Sequence, residues 1–275
     1  LSNYPSPITN HQSPITLTPM RLKADLTLLF IAVIWGSAFV AQRIAGQMGS
    51  VYLFNGVRYL LAGVVVYPFV RLKTSMPREQ FKWMFIAGFL LFVAAALQQA
   101  GMQYTTAGNA GFITSLYVVF VPFVLLTGWR EKPHWMSVLA VAVAVTGAYL
   151  LSTGGDGLEV QRGDALELVG ALFWALHVVV LGKFASRFEP MSFSVGQLLV
   201  CGLLNLTLGL FIEQPVFSLP LAGAAVYTAV MSLGLCYTLQ VWAQRHTPPS
   251  AAALILSLES VFAVLAGWLL LTELL

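Results

Sequence analysis

The chain has 275 residues, of which 58% are hydrophobic and only 9% charged, with a formal net charge of +3 and a mean hydropathy of +0.81. Soluble domains carry roughly 25% charged residues, so this composition excludes a water-soluble globule and marks an integral membrane protein. Cys201 and Cys236 both fall inside apolar runs, which excludes a disulfide framework, and no residues have metal-ligand spacing.

In chain order, residues 1–19 are polar, uncharged and Pro-rich, with the tetrapeptide Ser-Pro-Ile-Thr at 6–9 and 13–16. They read as a disordered tail or an appended remnant and lack the basic start and apolar middle of a signal peptide. Met20 has the look of a natural start. Nine apolar runs follow, near 25–45, 51–70, 82–103, 107–128, 135–151, 165–184, 191–212, 221–243 and 249–271. Each is long enough, or nearly so, to cross a hydrocarbon core of ~30 Å as a helix, and spans must be helical or closed barrels because lipid offers backbone groups no partner. The connections are short and several carry Pro or Gly, as at Pro77, Pro133, Gly154-Gly155, Pro190 and Pro220. Of the 14 Lys and Arg, only Arg43 and Arg162 fall opposite the N-terminal side, and Arg58 falls within a helix. The positive-inside bias therefore predicts a cytoplasmic N-terminus.

The chain repeats. Leu97–Glu131 shifted by 142 lies over Leu239–Glu273, with Gln98/Gln240, Thr105/Thr247, Ser115/Ser257 and Glu131/Glu273 matched in one register. A shift of 139 lays Asp25 on Asp164, Trp35 on Trp174 and Gly63 on Gly202. Helices one to four thus match six to nine, so each unit has five spans. An odd number inverts the second copy, an architecture of secondary transporters with a midplane site between the copies. The expected fold is an all-α membrane protein of two inverted repeats of five helices, repeat one at 20–151 and repeat two at 164–275. Nine spans are present, and a tenth is inferred to be missing from the chain.

Trp35-Gly36-Ser37-Ala38-Phe39, the Arg58-Tyr59 pair, and the two blocks ending in Glu131 and Glu273 resemble the EamA family of the drug/metabolite transporter superfamily. Within it the chain is most similar to the YddG-like amino-acid exporters. The resemblance covers residue 24 to the end. It implies ten helices in two inverted repeats and export of small metabolites, often amino acids, across a bacterial inner membrane.

Ionisable residues at membrane depth are costly and become functional candidates. Three qualify from sequence: Arg58, His177 and Glu259. Glu259 is either a cavity wall that takes a substrate ammonium or a proton, or a structural carboxyl held by neighbours. Arg58 is either structural, its stem carrying the guanidinium toward the outer interface, or the anchor for a substrate carboxylate; the structural reading is preferred, which leaves it outside the expected site. His177 follows Trp174 by three residues, on one helical face, and is expected to be a hydrogen-bonded packing residue more readily than a proton relay. Trp35 and Trp174 form either core packing or an aromatic wall; Gln98 and Gln240 form either helix glue or a paired polar site. The expected substrate-binding set is Trp35, Ser37, Gln98, Gln99, Tyr117, Trp174, His177, Tyr237, Gln240 and Glu259. Gly101, Gly108, Gly111 and Pro122 are the expected hinge and gate, with a kink at Pro122.

The leading functional reading is a carrier for a small neutral or zwitterionic metabolite, most simply an amino acid, working by alternating access. An exporter of other neutral or cationic metabolites or drugs is the alternative. An intramembrane enzyme is disfavoured because no His-Glu-x-x-His, Gly-x-Ser-x-Gly or paired intramembrane aspartates occur. No cofactor, metal or nucleic-acid partner is expected. The bilayer is the expected surrounding, and a homodimer the possible assembly.

Overall fold

A computed structural model of the protein describes residues 18–70, 77–133, 135–153 and 162–272, and all regular structure among them is helical. The expected tail up to residue 17, Arg71, Lys73, Gly154-Gly155 and Glu273 lie outside the described residues. The first half contains α1 (Pro19–Gln47), α2 (Tyr52–Val66) with a 3-10 turn (Tyr67–Phe69), α3 (Arg78–Gly101), α4 (Ala107–Ser115), α5 (Tyr117–Trp129) and α6 (Trp135–Thr153). The second contains α7 (Arg162–Lys183), α8 (Pro190–Ile212), α9 (Leu219–Tyr227), a π-helical stretch (Thr228–Leu235), α10 (Cys236–Ala243), α11 (Pro249–Leu256) and α12 (Glu259–Leu271).

Among the described residues, seven helices are long and apolar enough to cross a membrane: 19–47, 78–101, 107–129, 162–183, 190–212, 219–243 and 249–271. The runs expected at 51–70 and 135–151 are also helical, but neither joins that set. At 15 residues, α2 is about 22 Å long, short of the hydrocarbon thickness. The first helix starts earlier than the sequence suggests, since Pro19 sits at its first position. Thr18 caps it by accepting from the Arg21 amide at 3.2 Å.

The run expected to bend at Pro122 breaks six residues earlier, at Leu116, and Pro122 lies within α5. An equivalent break at Ser257–Leu258 divides α11 from α12, where no proline is present. Both breaks share a local feature. Ser115 donates to the Phe112 carbonyl at 2.7 Å, and Ser257 to the Leu254 carbonyl at 2.8 Å. A hydroxyl bonded to the carbonyl three residues back competes with the helical ladder. The two outgoing half-helices also end alike, on Arg130 at φ 56° and Thr272 at φ 55°.

Glycines set the central seam. Helices α2 and α8 lie so close that a Cβ on Gly56 would come 2.7 Å from Leu206, and one on Gly209 2.7 Å from the Leu53 nitrogen. Around this pair, α3 packs on α7 and α8, α1 on α10, α11 and α12, and α5 on α7, while α4 meets α12. Outward-facing Phe85, Phe123, Leu210 and Leu269 are more than half exposed, the pattern of a lipid-facing surface.

Candidate functional site

Between these helices lies a partly enclosed cavity with both polar and aromatic lining. From the expected set, Trp35, Gln98 and Tyr117 line it from the first half, and Trp174, Tyr237, Gln240 and Glu259 from the second. Gly36 lets α1 reach α12, since a Cβ there would come 2.3 Å from Phe262 Cβ and 2.8 Å from the Glu259 carbonyl. That approach sets Trp35 and Glu259 into the same cavity.

The aromatic wall is fixed by polar contacts behind it. Trp35 Nε1 donates to the Ser232 carbonyl at 2.8 Å, an acceptor inside the π-helical stretch, where the helical ladder is locally rearranged. The rings of Trp35 and Tyr237 are 5.2 Å apart. His177 does not line the cavity. It is fully buried, 2.9 Å from Gln197 Oε1, and its ring meets Trp174 and Tyr237 edge-on. Its place is behind the wall, bracing two of its rings.

Glu259 is the first residue of α12, where the helix N-terminus favours a negative group. Tyr117, the first residue of α5, occupies the matching position and faces it, yet the Tyr117 hydroxyl has no hydrogen-bond partner of good geometry. Gln240 Oε1 is likewise buried without one. Such atoms at a cavity wall are open to a ligand's donors.

Two expected members lie elsewhere. Gln99 is buried and donates to the Gln42 carbonyl at 2.8 Å, tying α3 to α1. Ser37 bonds Tyr227 at 2.6 Å and lines a separate outer groove between α1, α9 and α12. The glycines expected as hinges are close-packing points. A Cβ on Gly101 would meet Glu167 at 2.9 Å, one on Gly108 would meet Val264 at 3.2 Å, and one on Gly111 would meet Ala263 at 2.5 Å.

Arg58 is the main addition. The expectation that it reaches the interface is wrong: it is 2% exposed and lines the cavity. Its guanidinium donates to Asn55 Oδ1 at 3.0 Å and Gln42 Oε1 at 2.9 Å, and lies 5.1 Å over the Phe54 ring and 5.2 Å over the Tyr59 ring. No carboxylate pairs with it among the described residues. The glycines at 56 and 63, flanking Arg58, were the available signal that α2 is interior. Glu167 is the second addition. It is fully buried, so Glu259 is not the sole acid at depth.

Each face is tied by a matching pair. Where α1 starts, Thr247 donates to Asp25 at 2.7 Å; where α1 ends, Thr105 donates to Asp164 at 3.3 Å. The first face also carries Lys183–Glu131 and Arg187–Glu79 ion pairs and a Trp83–Phe184 stack with centroids 3.5 Å apart.

The chain is similar to known transporters over most of its length. An uncharacterized transporter of Archaeoglobus fulgidus is 34% identical over 256 residues, covering 93% of this chain and 80% of that protein. An uncharacterized inner membrane transporter of Escherichia coli K12, YedA, is 25% identical, covering 87% and 80%. A S-adenosylmethionine/S-adenosylhomocysteine transporter of Chlamydia muridarum is 24% identical, covering 90% and 84%. A solved crystal structure shares the fold with a TM-score of 0.70 at 17% identity, covering 90% of this chain and 88% of that one. The EamA-like transporter family matches residues 22–153 and 161–275, and the chain belongs to that family.

Proposed function

We propose that this protein is a secondary transporter for α-amino acids or metabolites bearing an α-amino-acid head, which it exports across a bacterial inner membrane by alternating access. The observation that carries the reading is the cavity's pair of opposite, mutually unbonded groups, Arg58 on α2 and Glu259 on α12, beside an aromatic wall. A buried charge without a counter-ion is costly. A zwitterion offsets both at once, its carboxylate on Arg58 and its ammonium on Glu259, with its side chain against Trp35, Trp174 and Tyr237. S-adenosylmethionine carries the same head group, so the name of the Chlamydia relative fits the same chemistry.

The inverted-repeat reading draws support from paired features. The helix breaks, the left-handed ends and the Asp–Thr bonds each occur twice at matched positions, the bonds at opposite faces. In this reading the N-terminus is cytoplasmic, and rocking one repeat against the other breaks one Asp–Thr tie while the other holds. The glycine contacts at 101, 108 and 111 and the α4–α5 break, with Pro122 beyond it, then lie at the moving seam.

The test is efflux and counterflow from proteoliposomes, screened over the twenty amino acids, S-adenosylmethionine, and the matching amines lacking a carboxylate. Saturable exchange of acids, lost in Arg58→Gln, supports the reading. Equal transport of the amines replaces it with a cation exporter.

A further inference from the structure

We propose that Glu167 is a proton-binding site whose charge state opens and closes the face where α1 ends, a coupling role that rests on the transporter reading above. Glu167 lies on α7, five residues past its start, with none of its surface exposed. Its Oε2 accepts from Thr114 at 2.9 Å, and Thr114 in turn accepts from the cavity residue Gln98 at 3.0 Å. Oε1 has no hydrogen-bond partner and is pressed against Gly101, where a Cβ would stand 2.9 Å away. The carboxyl is thus clamped between α3, α4 and α7 at one end of a polar chain that reaches the cavity.

Among the described residues no cation pairs with it. The charged groups that interact with it are two more acids, Asp164 one turn nearer the face and Glu259 on α12. Charged residues of α3 (Arg78, Glu79, Lys82) sit at the helix's opposite end, α4, α5 and α11 carry none, and α5 supplies only Tyr117. Arg162 begins α7 on the exposed side, and Arg43 on α1 is bonded to the Met102 carbonyl. A neutral carboxyl is tolerated in this clamp. An ionised one needs water, and water reaches it only if α7 parts from α3 and α4. Proton release to water at the Asp164 side therefore favours the open face, and proton uptake favours the closed one.

Two measurements test this without any substrate. The first is the carboxylic-acid C=O stretch in pH-difference infrared spectra of lipid-reconstituted protein, expected in wild type and in Glu259→Gln, and diminished in Glu167→Gln. The second is labelling of Met102→Cys by a membrane-impermeant maleimide, relative to the already exposed Tyr104→Cys; Met102 is fully buried at this face. The ratio should rise with pH by up to about tenfold per unit, the limit for one proton, and stay low and flat when Glu167→Gln is added. A carbonyl band unchanged by Glu167→Gln, or a ratio flat in the parent or equally steep in the variant, overturns the proposal. Should Glu167→Gln not fold, Thr114→Val serves: a displaced pH midpoint supports the site and an unmoved one overturns it. A protein that passes both measurements yet moves none of the screened compounds overturns the substrate reading and leaves the proton site standing.

Discussion

The two helix breaks are built alike and carry different chemistry. Ser115-Leu116-Tyr117 and Ser257-Leu258-Glu259 share the serine that diverts a carbonyl and the leucine at the turn. The third residue, first in the outgoing helix, is a phenol in one half and a carboxyl in the other. The neighbouring spans differ too, because α3 is a regular helix whereas its counterpart contains the π-helical stretch that presents the Ser232 carbonyl to Trp35. A shared scaffold sets the geometry, and a few unmatched residues give the cavity its polarity.

The sharpest way to probe that difference is to remove the acid and leave the scaffold. Glu259→Gln should lower apparent substrate affinity at least about thirtyfold, the loss expected when one partner of a desolvated charge contact goes. Tyr117→Phe should change it by only about fivefold, one neutral hydrogen bond. Proteoliposome uptake measures both, and equal effects would mean that the halves contribute alike.

Gly36 and Ala175 hold the same place after Trp35 and Trp174. Gly36→Ala should destabilise by about 1–3 kcal/mol through overpacking against Phe262, whereas Ala175→Gly should cost about 1–2 kcal/mol from helix entropy and the loss of a buried methyl. Thermal melting in detergent separates them.

The two Asp–Thr ties should act oppositely. Asp25→Asn weakens the face where α1 starts and Asp164→Asn the other, each by about 1 kcal/mol for a partly exposed bond. Maleimide labelling of cysteines on each face should move in opposite directions; parallel movement would count against reciprocal gates. The smallest effect belongs to the breaks themselves. Ser115→Ala and Ser257→Ala should each change stability by about 0.5 kcal/mol while straightening one helix, seen as a longer spin-label distance along it.

Much of the cavity was legible in advance because matched polar residues in an apolar chain have few other uses. Trp35, Gln98, Trp174, Gln240 and Glu259 all reach it. The place of Arg58 is not legible in the sequence, because a long stem can lead either to an interface or inward, and only its Asn55 and Gln42 partners decide which. Glu167 gives no such signal because a residue five places into a helix reads as interfacial; the clamp formed by Gly101 and Thr114 buries it. His177 is the hydrogen-bonded packing residue that its lone place on an apolar helix suggests, but it stands behind the cavity wall, since sequence gives its helical face and not its depth.

By itself, the sequence determined the solvent, the helical class, the doubling and the residue types available for a site. Those follow from the cost of leaving charge or backbone unsatisfied in lipid, a cost carried by every residue separately. Only the tertiary structure decided where the long helices break, which glycines bring α1 to α12 and α2 to α8, and which buried charges stand without partners. These depend on contacts between residues far apart in the chain, and no local pattern records them.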